Sequence, residues 1–178
     1  MMPSVYSFVD YSPEWPALFE QAAERLRSLI GDDLIEIHHI GSTSVPGLAA
    51  KPIIDIVPIV RDITRDTVFS PILEEAGYKV WGEYGIPGRR YFTRDRGNVR
   101  THNIHLFEQG DPQIERHVAF CAYLREHPEV RDEYAALKRE VYQRHPADIA
   151  AYSDGKDAWI KRVEPVAVHW FRAYVSDM

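Results

Sequence analysis

The chain predicts a fold of the α/β (α+β) class: a mixed β-sheet flanked by helices, followed by a helical C-terminal part. Three observations carry this expectation. Short alternating or continuous apolar runs mark strands before residue 110, helical spacing takes over from Pro112 onward, and no internal repeat or low-complexity segment interrupts either half.

The elements follow in order. Ser12-Pro13-Glu14-Trp15 reads as a helix start, with Ser12 as N-cap and Pro13 in the first turn. Leu18, Phe19, Ala22, Leu26, Leu29 and Ile30 keep helical spacing until Gly31 stops it. A strand is predicted over 34–40, a glycine-serine loop after it, and a second strand over 53–60. Thr67 to Ala76 reads as a helix despite Pro71, and Tyr78 to Tyr84 as a strand. Gly85 to Gly88 is a turn, Arg90 to Thr93 begins another strand, and Asp95-Arg-Gly-Asn98 has hairpin-turn composition. Arg100 to Phe107 then alternates, with Asn103, His105 and Phe107 on one face. Helices are predicted over 114–125, over 129–144 behind Pro128, briefly over 147–152, and over 156–174 with an interruption near Pro165.

The 178 residues are expected to form a single domain spanning 1–178 with one substantial core. A formal net charge of −6 gives no electrostatic reason for nucleic-acid binding, so nucleic acid is not an expected partner. The one cysteine, Cys121, excludes an intrachain disulfide and a cysteine-based zinc site, and its neighbours make it a core filler. The N-terminus has no basic stretch followed by an apolar segment, and no apolar run approaches the ~18 residues of a membrane span. The expectation is therefore a cytoplasmic protein with no membrane partner; the oligomeric state is open.

The most informative segment is His39-Ile-Gly-Ser-Thr-Ser-Val-Pro-Gly-Leu-Ala-Ala-Lys-Pro-Ile-Ile-Asp55. A turn of small and hydroxyl residues (Gly41, Ser42, Thr43, Ser44) leads to a strand carrying a single carboxylate, Asp55, among Ile and Val. Hydroxyls and backbone N–H groups in such a turn can hold phosphate oxygens, and an acid beside them can hold a divalent cation. Lys51, four residues before Asp55, can steer a phosphate or pair with the acid; a solvated loop lysine is the other reading. Arg89 and Arg90 can clamp a phosphate bidentately or form a solvent-facing pair. His39 reads as a core histidine. His105 can move a proton or hold a transition metal, or it can be structural.

The same segment, with Asn103-Ile-His-Leu-Phe107, Tyr123-Leu-Arg-Glu-His-Pro128 and Tyr134-Ala-Ala-Leu-Lys138, resembles the GrpB family (UPF0157), grouped with the nucleotidyltransferase-like fold. The similarity covers roughly residues 8–165. It implies a helix-flanked mixed sheet and a cleft between the Gly41-Ser42 turn and Asp55. In that cleft a nucleotide or other phosphate-bearing ligand would be held, with nucleotidyl transfer as the implied activity. Active members of the fold use two acids on one strand and a third from a later strand to bind two Mg²⁺. On that pattern Asp55 is the first acid and His105 occupies the third position, so both are candidate catalytic residues and ligands of Mg²⁺ or Mn²⁺. The second acid is replaced by Val57. Lys138, Tyr152 and Lys156 match family motifs and are expected to close the cleft over base or phosphate; a salt-bridged helix face for Lys138 and a helix-capping turn at Ser153-Asp154-Gly155 are the other readings. A catalytically degenerate nucleotide- or coenzyme-binding module with a regulatory or partner-binding role is the alternative. Some family members are fused to a dephospho-coenzyme-A kinase, but this chain has no Gly-x-x-x-x-Gly-Lys-Ser/Thr motif.

Overall fold

In the computed structural model, which describes residues 6–178, a five-stranded mixed sheet separates two helical layers. The sequence reading of the extreme N-terminus falls on residues 1–5, outside the described residues. Helix α1 spans Trp15–Ile30, strand β1 Leu34–Ile40 and strand β2 Ile54–Val60. Helix α2 spans Asp66–Glu75; β3, β4 and β5 are Lys79–Val80, Arg90–Arg96 and Val99–Glu108. Helices α3 (Pro112–Glu126), α4 (Pro128–Arg144) and α5 (Ile149–Ser176) complete the chain.

The strand order is β1-β2-β5-β4-β3. Only β2 and β5 run parallel, with Asp55 paired to Asn103; every other neighbouring pair is antiparallel. Side-chain alternation then assigns the two faces. Ile54, Ile56, Ile104 and Leu106 face α1 and α2, where Ala23, Leu26, Phe69 and Leu73 complete one core. Asp55, Val57 and Ile59 of β2, with Asn103, His105 and Phe107 of β5, face α3 to α5, where Leu124, Tyr134 and Trp159 close a second core. The cleft lies at the end of this second face, so its floor is sheet and its roof is helix.

Helix starts follow local chemistry. The Asp111 carboxylate accepts from the Gln113 N–H at 2.9 Å ahead of Pro112, and Asp148 accepts from the Ala151 N–H at 3.0 Å, each satisfying an orphan donor of a first turn.

Three expectations are corrected. Helix α1 begins at Trp15, with Pro16 in its first turn; the Ser12 hydroxyl accepts from the Glu14 N–H at 3.3 Å, so it caps the approach rather than the helix. The strand expected over 78–84 is regular only at Lys79–Val80; Trp81 and Gly82 still bond Tyr91 of β4 at 3.0 and 2.8 Å, and the chain leaves β4 as a loop after Gly82. Residues 149–176 form one continuous helix through Gly155 and Pro165, where two helices were expected. Packing explains the glycine: a Cβ on Gly155 would lie 2.5 Å from Val141 Cγ1 on α4, so only glycine lets the two helices approach here. Gly155→Ala should therefore lower stability by roughly 1–2 kcal/mol, although the same change in an open helix raises it by about 1 kcal/mol. Thermal or urea unfolding reads the sign directly.

Candidate functional site

The cleft is built around the turn that joins β1 to β2. Gly41 leaves β1 with φ +72°, and a Cβ there would meet Asp55 Oδ2 at 2.6 Å, so glycine is required both by conformation and by close approach. The Gly41 carbonyl accepts from the Ser44 N–H at 3.1 Å and the Ser44 hydroxyl at 2.7 Å, and the Cys121 thiol points to it at 3.6 Å. These contacts lock the turn against α3. Thr43 is buried, with its hydroxyl 2.9 Å from His39 Nε2; the His39 ring stacks on Phe19 at 4.7 Å. Burial pushes His39 down to about 4, a neutral structural histidine. The Ser42 hydroxyl faces the cleft instead, and accepts from Lys138 Nζ at 2.7 Å.

Asp55 stands on the floor. Asn103 Nδ2 donates to its Oδ1 at 3.0 Å, and His105 Nε2 lies 3.4 Å from the same oxygen. Burial alone would raise the Asp55 carboxyl. Hydrogen bonds from His105 and the Asn103 amide, with the charge of the Lys51 ammonium, outweigh it and hold the group below the usual carboxylate range. Arg89 Nη1, which can only donate, lies 3.2 Å from His105 Nδ1. That bond fixes the tautomer: Nδ1 accepts, and Nε2–H donates to Asp55.

Three lysines form the roof and rim. Lys138 on α4 is 1% exposed, donates to Ser42 and sits 4.7 Å from the Tyr134 ring centroid. Lys51 and Lys156 sit 5.5 and 4.6 Å from the ring centroid of Tyr152, which is itself buried. Burial, followed by repulsion from Lys51, pushes Lys156 down to about 8. Burial and the neighbouring Lys156 and Lys51 push Lys138 well below the lysine range. Arg116 and Glu164, also lining the cleft, pair at 2.8 Å and offset each other. The cavity, of about 280 Å³, thus carries more positive than negative charge.

Gly41, Ser42, Thr43, Lys51, Asp55, His105, Lys138, Tyr152 and Lys156 all line this one cleft. Two candidates are placed elsewhere. Ser44 spends its hydroxyl inside the turn. Arg90, opposite Leu106 in register, lies on the other face of the sheet and is ion-paired with Asp66 of α2; the alternation of β4 turns it away from the cleft. Arg89 is not solvent-facing: it is 6% exposed and reaches His105. Trp159 packs, as expected, stacked on Tyr134 at 4.5 Å. Asn103, Tyr134, Arg116, His117 and Glu164 line the cleft without having been assigned a role. Two had a usable signal: Asn103 shares the His105 face by strand alternation, and Tyr134 shares the Lys138 face at i, i+4. Arg116 and Glu164 pair across 48 residues, which no local pattern shows.

The donor set does not fit a pair of Mg²⁺ ions. Magnesium asks for oxygen ligands in octahedral array. Here Asp55 has one oxygen already committed, both His105 ring nitrogens are engaged, and three ammonium groups face the same space. Among the described residues no group of three or more His, Cys, Asp or Glu is placed to hold a metal ion. Val57, at the position of the second acid, is fully buried in the apolar core under α3.

The mixed sheet with its turn-and-acid cleft defines a protein of nucleotidyltransferase-like fold. It superposes on the Cid1 poly(U) polymerase in its MgGTP-bound structure with a TM-score of 0.52 at 15% identity, covering 83% of this chain and 50% of that one. The chain belongs to the GrpB family: the GrpB protein profile matches residues 6–165. The structure of the conserved protein GrpB from Enterococcus faecalis is similar at a TM-score of 0.89 and 40% identity, covering 93% of this chain and 99% of that one. The UPF0157 protein YqkA of Bacillus subtilis is 48% identical over 160 residues, which are 90% of this chain but 46% of YqkA, about half its length. A dephospho-CoA kinase of Mycolicibacterium paratuberculosis is 30% identical over 185 residues, covering 89% of this chain and 45% of the kinase. Among the described residues no helix is long and apolar enough to cross a membrane.

Proposed function

We propose that the cleft binds a phosphate-bearing ligand of the nucleotide or coenzyme type through direct charge and hydrogen bonds, without a bridging metal ion. The observation that carries this reading is the convergence of Lys51, Lys138 and Lys156 with the Ser42 hydroxyl around one carboxylate. A desolvated ammonium without a carboxylate partner is costly, and an incoming phosphate supplies the missing counter-charge. Asp55 then serves to orient Asn103 and to keep the lysines tolerable in the free protein. His105, held between Arg89 and Asp55, acts as a rigid linker rather than a free base. On this reading the protein is a binding module that retains the nucleotidyltransferase-like cleft.

Nucleotidyl transfer is the second reading, favoured by Asp55 standing beside the Gly41-Ser42 turn in a nucleotidyltransferase-like fold. The two differ in the sign of one substitution. Asp55→Asn keeps shape and removes a negative charge beside the phosphate, so metal-free binding should tighten on the order of tenfold, about 1.4 kcal/mol. If Asp55 instead holds a metal for transfer, the same change abolishes binding.

Calorimetry with ATP, CTP, GTP, UTP and dephospho-coenzyme A, in EDTA and again in Mg²⁺ or Mn²⁺, separates the cases. No binding of any of these in EDTA sinks the metal-free reading. The pH profile has a defined sign. Lys156 is charged below about 8 and neutral above it, so affinity should fall as pH rises through about 8.

A further inference from the structure

A second groove, of about 470 Å³, runs beside the cleft and shares Lys51, Ile53 and Asn103 with it. Its outer wall is aromatic. Tyr84 stacks on Tyr91 with centroids 5.2 Å apart and 19° between planes, and Trp81 leans on Tyr84 at 5.5 Å. Tyr91 is fixed from below: its hydroxyl donates to Asn103 Oδ1 at 3.0 Å, and the Arg89 guanidinium lies 4.7 Å from its ring centroid. Tyr84, by contrast, is 62% exposed.

The backbone at Tyr84 is equally unusual. Its φ is +47°, and it is the one non-glycine residue at positive φ among the described residues. A bulky side chain is disfavoured there, and such conformations persist where the surroundings enforce them. The enforcing group is Arg89, which donates through Nη2 to the Tyr84 carbonyl at 2.6 Å and through Nε to the Glu83 carbonyl at 3.1 Å. The same buried guanidinium donates to His105 on the cleft floor. A strained, exposed ring is therefore held by the residue that also contacts the cleft.

We propose that Tyr84, supported by Tyr91, is a stacking platform for the base of a nucleotide whose phosphates lie among Lys51, Lys138 and Lys156. This rests on the phosphate-binding reading above and names its ligand class. Three features select a nucleobase. The cleft of about 280 Å³ is at the small end of ligand pockets, which run from roughly 300 to 1,000 Å³, so it takes the phosphates and leaves the rest of the ligand to the groove. Lys51 lines both the groove and the cleft, matching a phosphate that enters from the groove, while Arg100 of the groove is paired with Asp95 at 2.5 Å. Asn98 and Ser153, also lining the groove, supply hydrogen-bonding groups for the polar edges of a ring.

The test compares ATP with inorganic triphosphate in EDTA, by calorimetry and by quenching of Trp81 fluorescence, on the full chain. The wild type should bind ATP more tightly than inorganic triphosphate. Tyr84→Ala should weaken ATP about tenfold and leave inorganic triphosphate unchanged, while Tyr84→Phe keeps ATP affinity. Tyr84→Gly should weaken ATP as Ala does without lowering the melting temperature, because glycine adopts the positive φ freely. Equal wild-type affinities for ATP and inorganic triphosphate, or equal weakening of both by Tyr84→Ala, overturn the platform and leave the phosphate site standing. If neither ligand binds the wild type, the phosphate reading itself fails and the platform with it.

Discussion

Gly41→Ala is expected to cost about 2–4 kcal/mol of stability and to abolish ligand binding. Two penalties add. An L-residue at φ +72° and ψ −178°, a region that essentially only glycine occupies, costs roughly 1–3 kcal/mol. The new methyl also lies 2.6 Å from Asp55 Oδ2 and 3.0 Å from Asp55 Cβ, which forces the β1–β2 turn away from the strand that carries the acid. In a protein of this size each kcal/mol lowers the melting temperature by about 2–4 °C. Gly77→Ala is the control: its φ is +97° and a Cβ there meets nothing within 4 Å, so it carries the backbone cost alone. Thermal unfolding of the two variants isolates the collision with Asp55. If they melt together, the turn is not packed against the acid as described.

Lys138→Met is expected to act in opposite directions on stability and binding. Lys138 is 1% exposed, and Ser42 is its hydrogen-bond partner. Replacing the buried amine by an apolar chain of similar length should stabilise the fold by about 1–3 kcal/mol at neutral pH. Phosphate affinity should fall tenfold to a hundredfold, because a charge-assisted hydrogen bond is lost. The sign with pH follows from the depressed pKa. Below the folded-state pKa the wild type carries the full cost of the buried ammonium. As pH rises toward 10.5 the folded protein releases the proton while the unfolded chain still holds it, so wild-type stability gains. The advantage of Lys138→Met should therefore shrink with rising pH. Urea unfolding at several pH values, with calorimetry on the same samples, measures both halves. A variant less stable than wild type at neutral pH would mean that Lys138 is held by more than its observed contacts.

The two predictions show why the site was partly legible in advance. Gly41, Ser42 and Asp55 sit within fifteen residues of one another, so their spacing and residue types reveal the turn and the acid directly. Asn103 and His105 share a face by the two-residue period of a strand, a pattern equally visible in the chain. Lys51 follows from its place just before β2. What failed were inferences requiring knowledge of neighbours. Arg90 fitted a phosphate clamp by composition, yet strand alternation and the position of α2 give it Asp66 as partner. Ser44 resembled Ser42 until the Gly41 carbonyl claimed its hydroxyl. Gly155 reads as part of a helix-capping turn in the sequence and serves as a contact point for α4 inside one continuous helix.

The sequence by itself determined the order and type of nearly all elements, the family, the turn and the acid, because these depend on periodicity and short-range backbone chemistry. Only the tertiary structure decided the electrostatic character of the cleft. Lys51, Lys138 and Lys156 come from a loop and two separate helices, and their meeting over Asp55 depends on how α4 and α5 cross the sheet. Charge interactions act through space and are amplified where water is excluded, so their balance follows from packing and not from order along the chain.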